Sequence, residues 1–124
     1  MKNDLSILCL RLSFSGTMLI SHGLPKFLNY SQMKNSFPDP LGIGSSACLL
    51  LTIFAEFICP FFILLGYKLR FFTVPLIITM LVAAFVIHAD DNWSKIEFPL
   101  LYAFSFLALL ISGAGKYSLD RKLS

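Results

Sequence analysis

Four long apolar stretches fill this 124-residue chain, and the ionisable residues inside them lie almost all on the first two. They cover about residues 5–28, 46–66, 71–89 and 98–112. A bilayer core of about 30 Å takes roughly 20 helical residues, so these lengths suit membrane spans. Hydrocarbon offers no water to a peptide group, so each span is expected to be helical. The fold class read from this pattern is all-α, an integral membrane four-helix bundle. One domain over residues 1–124 is expected, with no internal repeat. A charge at the centre of a bilayer costs about 2.5 kcal/mol or more on insertion scales. The polar residues Arg11, His22 and Glu56 within the spans therefore call for a partner or a task.

Composition closes off other classes. Hydrophobic residues make up 56% of the chain, charged ones 14%, and the mean hydropathy is +0.76. Soluble domains carry about 25% charge, so this chain could not cover a water-facing globule. The net charge of +3 is small and scattered, which sets nucleic acid aside as a partner. Cys9, Cys48 and Cys59 all fall in apolar segments without a Cys-x-x-Cys pair, and read as small buried hydrophobes. No motif for haem, an iron–sulfur cluster or a flavin is found. The first apolar run lacks a basic cluster ahead of it and a small-x-small site, so it reads as a span and not a cleavable leader.

Pro38, Pro40, Gly42 and Gly44 punctuate the first connection, with Ser45 or Ser46 expected to cap the second helix. Residues 66–70 form a tight turn, and Asp90 to Trp93 form the third connection. Pro60 and Pro75 are expected to bend their helices, and Pro99 to open the fourth. An even number of spans puts both termini and the second connection on one side. That side holds Lys2, Lys68, Arg70, Lys116, Arg121 and Lys122, against Lys26, Lys34 and Lys95 on the other. The positive-inside rule then makes both termini cytoplasmic, in a bacterial inner membrane. Tyr30, Tyr67, Trp93 and Tyr117 fall at span ends, at headgroup level.

On an ideal helix, Arg11, Ser15, Met18 and His22 share a sector of about 60°, continued by Lys26. Cys48, Thr52, Glu56 and Cys59 form a matching stripe on the second helix. Arg11 lies about 9 Å from the cytoplasmic end and Glu56 about 15 Å, a gap that a guanidinium can cover. Glu56 is thus the candidate proton-transfer group and Arg11 its candidate partner, with a purely structural ion pair as the competing reading. His22 and His88 share a level about 25 Å from that end. With Lys26 and Thr52 they are candidate ligand-binding residues. Two histidines make too thin a set for a metal site, and none is assigned.

The run Arg11 to Lys26 (RLSFSGTMLISHGLPK), Phe37 to Gly44 (FPDPLGIG) and Phe54–Ala55–Glu56 resemble the DoxX family of small bacterial membrane proteins. Pro75 to Ala89 and the tail Gly113 to Asp120 are similar as well, in order along nearly the whole chain. The resemblance implies a four-helix inner-membrane bundle. It also implies a link to quinone-coupled sulfur oxidation or to membrane complexes handling redox stress. Arg11, His22, Gly23, Lys26, Glu56, His88 and the tail occupy the family's polar motif places.

Three functions compete on these grounds. The first is a redox-linked membrane subunit that binds a quinone beside Arg11 and Glu56, a non-autonomous oxidoreductase component fed by a soluble or membrane redox enzyme. The second is a non-catalytic scaffold or assembly factor, using the basic tail and the first connection as recognition surfaces. The third is a small proton-coupled exporter, disfavoured because its carboxylate would be expected on the first helix.

Overall fold

The computed structural model describes residues 2–123. Its four long helices are α1 (Lys2–Leu28), α2 (Ser45–Leu65), α3 (Leu69–Ile87) and α4 (Trp93–Ser112), each long and apolar enough to cross a membrane. A single helical turn, Tyr30–Met33, follows α1, and a short helix, Leu119–Leu123, follows α4. Among the described residues there is no strand. The fold is the expected all-α membrane bundle.

The helices form a ring in chain order. α3 packs against α4 along its length, α1 touches both α2 and α4, and α2 meets α3 chiefly at their shared turn. Met18, Cys59, Ile63, Leu76, Tyr102 and Phe106 are among the residues that meet in the middle. Phe71, Phe85, Phe104 and Ile111 point outward, where a lipid-facing surface needs them. In a bilayer this interior gains little from excluding water, so close packing and polar contacts hold it.

Several boundaries depart from expectation. α4 begins at Trp93, about one turn before the predicted start, because extended Asn92 begins the helix and Lys95 N–H bonds its carbonyl at 3.0 Å. Pro99 therefore lies inside the helix and does not open it. At α2, neither Ser45 nor Ser46 is the cap. Asp39 accepts from the Ile43 and Gly44 amides at 3.0 and 2.8 Å, and the Ser45 hydroxyl bonds back to Phe37 O.

α1, α2 and α3 all carry π-helical segments, Arg11–Ser15, Leu19–Gly23, Phe54–Ile58 and Ala83–Ile87. Two of them, Leu19–Gly23 and Phe54–Ile58, end two residues before a proline, Pro25 and Pro60. Proline lacks an N–H and crowds the carbonyl four residues back. A wider turn just ahead of it absorbs both faults, and it slips the register of the inward face by one residue.

The two ends of the bundle differ. At the end carrying the termini, the tail folds back and is tied down. The Arg70 guanidinium donates to Leu110 O and Ile111 O, and Asp4 accepts from the Lys116 amide at 3.0 Å. Asp120 takes the Lys68 and Leu69 amides at 2.7 and 3.0 Å, capping α3 from a distant part of the chain. The tail's backbone is thus tied to the bundle, while Lys116, Arg121 and Lys122 stay exposed on it. The opposite end, under the first and third connections, borders a cavity.

Candidate functional site

Lys26 and Glu56 meet because α1 and α2 touch at one glycine. A β-carbon on Gly23 would stand 2.1 Å from Glu56 O and 2.7 Å from Phe57 Cα, so only glycine lets the two backbones approach. One turn further along α1, Lys26 Nζ donates to Glu56 Oε1 at 2.5 Å. The side chains keep 19% and 6% of their surface exposed, so the pair is largely withdrawn from solvent.

The expected Arg11–Glu56 pairing does not form. Arg11 is 2% exposed, and four of its five guanidinium N–H groups donate to carbonyls. Nε donates to Ile63 O at 3.1 Å, Nη2 to Leu64 O at 2.7 Å, and Nη1 to Ala114 O and Tyr117 O at 2.9 and 2.8 Å. The last carbonyls of a helix have no partner within it and carry partial negative charge. Arg11 is level with those of α2. Glu56 lies seven residues back from Ile63, about 10 Å of helical rise away. Arg11 therefore seals the terminus end, joining α1, α2 and the tail.

Beyond their shared turn α2 and α3 diverge, leaving a cavity of about 580 Å³. Lys26, Thr52, Glu56 and His88 all line it, so four of the six predicted site residues come together. Its walls are otherwise mainly apolar, with Leu51, Phe54, Val74 and Ile78 prominent. Phe37, Pro38, Pro40 and Leu41 border it as a strap at the connection end. The Thr52 hydroxyl donates within its own helix, to Cys48 O at 2.9 Å. His88 Nδ1 lies 2.7 Å from Asp91 Oδ2, which fixes the ring. That bond also holds the Asp91 carboxyl below its ordinary range.

The DoxX family model matches residues 6–89, which is more than half of the chain. This chain belongs to the DoxX family. It is similar to an uncharacterized protein of Haemophilus influenzae, 32% identical over 95% of this chain and 83% of the relative. An uncharacterized membrane protein of Mycobacterium tuberculosis is 30% identical over 96% of this chain and 82% of the relative. No solved structure matches.

Two parts of this DoxX site escaped the sequence reading. His22 does not line the cavity; its ring meets Tyr102 of α4 edge-on at 5.5 Å between centroids. The π turn at Leu19–Gly23 is the reason. Met18 and Gly23, five residues apart, take the inward positions, and His22 is turned toward α4. Pro25 was the available signal, since a proline within a helix disturbs the ideal wheel ahead of it. Asp39 was the other omission. Cys48 Sγ donates to its Oδ1 at 3.0 Å. That bond, with the Gly44 and Ile43 amides, holds the Asp39 carboxyl below its ordinary range. An aspartate between two prolines ahead of Gly42 and Gly44 is a turn signature that could have revealed the strap.

Proposed function

We propose that this DoxX protein is a subunit of a redox-linked membrane complex and holds a quinone in the α2–α3 cavity. The observation that carries the reading is an apolar cavity with one buried ion pair, Lys26–Glu56, in its wall. An apolar ring with polar oxygens suits such a site, because a few placed polar groups orient the ligand while the walls bury it. Lys26 is the donor to a quinone oxygen, and Glu56 is the group that can exchange a proton with it. Electrons come from a partner enzyme, so the chain is not a complete oxidoreductase alone. The six-to-three excess of Lys and Arg on the terminus side supports cytoplasmic termini, and the reading takes the membrane to be a bacterial inner membrane.

Trp93 is the single tryptophan, and it lies at the cavity's end of the bundle. Saturable quenching of its fluorescence by a short-chain benzoquinone, beyond the linear collisional quenching expected of an exposed ring, therefore reports binding. Lys26→Met and Glu56→Gln should each weaken binding about tenfold or more, about 1.4 kcal/mol. Wild-type affinity in both variants would end the reading.

The scaffold alternative keeps one observation in its favour. Leu41 and Ile43 on the strap are 63% and 51% exposed, and they could dock a partner. Loss of a co-purifying enzyme in Ile43→Ser, with quinone binding intact, would favour it.

A further inference from the structure

The cavity is closed in two directions and open in a third. At the terminus end α2 and α3 come together, with Phe62 and Phe72 stacked at 4.7 Å between centroids. At the connection end the strap crosses it, held by the three bonds to Asp39. Between α2 and α3 the situation differs. Leu51 and Phe54 on one side are 52% and 40% exposed, and Val74 and Ile78 on the other are 42% and 56% exposed. All four line the cavity as well. Residues that face a cavity and the outer surface together are the lips of an opening. On a bundle that spans a membrane, this opening faces hydrocarbon.

We infer that the ligand passes sideways from the bilayer through the α2–α3 gap, and that it carries a hydrocarbon tail. Its ring lies against Lys26 and Glu56, and the tail remains between the lips formed by Leu51, Phe54, Val74 and Ile78. The cavity borders the first connection and His88 and reaches back to Val74, so the gap runs from the side opposite the termini past the middle of the bilayer. This rests on the quinone reading above and extends it by naming the route and the tail. The chemistry follows from the lips. They carry no polar side chain, so a hydrocarbon tail passes between bilayer and lips at little cost, whereas a polar water-borne solute would have to give up its hydration with no partner there.

The test compares two quinones on the purified full chain, one with a ten-carbon tail and one without, both read by Trp93 quenching. Val74→Phe with Ile78→Phe narrows the gap. Affinity for the tailed quinone should fall about tenfold more than that for the tail-less one, whose ring keeps its contacts with Lys26 and Glu56. Unchanged affinity for the tailed quinone overturns the inference, and so does an equal loss for both. If the double variant does not fold, Ile78→Ala gives the second measurement. It should tighten a branched isoprenoid tail relative to a linear one, and no change in that ratio overturns the proposal. Decan-1-ol that displaces the tailed quinone as well as quinone itself would assign the gap to an acyl chain, again overturning it. A wild-type chain that binds neither quinone overturns the earlier reading, a result distinct from all of these.

Discussion

Gly23 and Gly16 sit seven residues apart on α1, yet their fates differ. A methyl group on Gly23 would press into Glu56 O at 2.1 Å, while one on Gly16 would meet nothing within 4 Å. Gly23→Ala is therefore expected to lower stability by about 2–3 kcal/mol through overpacking against backbone. Gly16→Ala should raise it by up to about 1 kcal/mol, from helix propensity. Unfolding in detergent checks both. Asp39 offers a pH-dependent counterpart at this scale. Its carboxyl is held below the ordinary value near 3.8, first by the Cys48 thiol and then by the Gly44 amide. A depressed carboxylate stabilises the fold fully above its unfolded value, and that contribution is lost as pH falls through the lower folded value. Hydrogen exchange at the Ile43 and Gly44 amides should show constant protection from neutral pH down to about 4 and declining protection below it. In Asp39→Ala protection should be low throughout.

Between elements, two polar contacts do different work. The Lys26–Glu56 pair joins α1 to α2 beside the cavity. Replacing both by leucine is expected to leave stability within about 1 kcal/mol of wild type, since the desolvation cost vanishes with the attraction. Lys26→Leu alone should cost up to about 3 kcal/mol, less what its 19% exposure screens. Titration with a denaturing detergent separates the two, and both variants should fail to bind quinone. Arg11 joins α1, α2 and the tail through carbonyls alone. An ammonium has no planar fork, so Arg11→Lys should not rescue what Arg11→Met loses, at least about 3 kcal/mol in either case. Lys116 and Arg121 are already exposed, so trypsin cleavage there reads how firmly the tail's backbone is held. Equal cleavage rates in wild type and Arg11→Lys would show that the fork is dispensable.

Across the whole molecule, one end is fastened and the other is built around a space. Amides near Leu65 and Leu69, under the tail, should exchange more slowly than those near Met80 to Ala84, beside the cavity. The four spans, the turn at 66–70 and the polar character of Arg11, His22 and Glu56 were legible along the chain. Span length, hydropathy and helix punctuation are local properties, and the bilayer imposes them on each segment separately. Lys26, Thr52, Glu56 and His88 were legible as polar residues in or beside apolar helices, but their assembly around one cavity was not. Arg11 illustrates why. Its charge predicted a carboxylate partner, whereas the fold brought four carbonyls from α2 and the tail to it first. His22 illustrates the same point through backbone geometry, since a π turn ahead of Pro25 rotated it toward Tyr102. The sequence by itself determined the address in the membrane, the helices and the supply of polar groups. Only the tertiary structure decided who pairs with whom, because pairing depends on helix register, on the slip introduced beside prolines and on which distant acceptors come within reach.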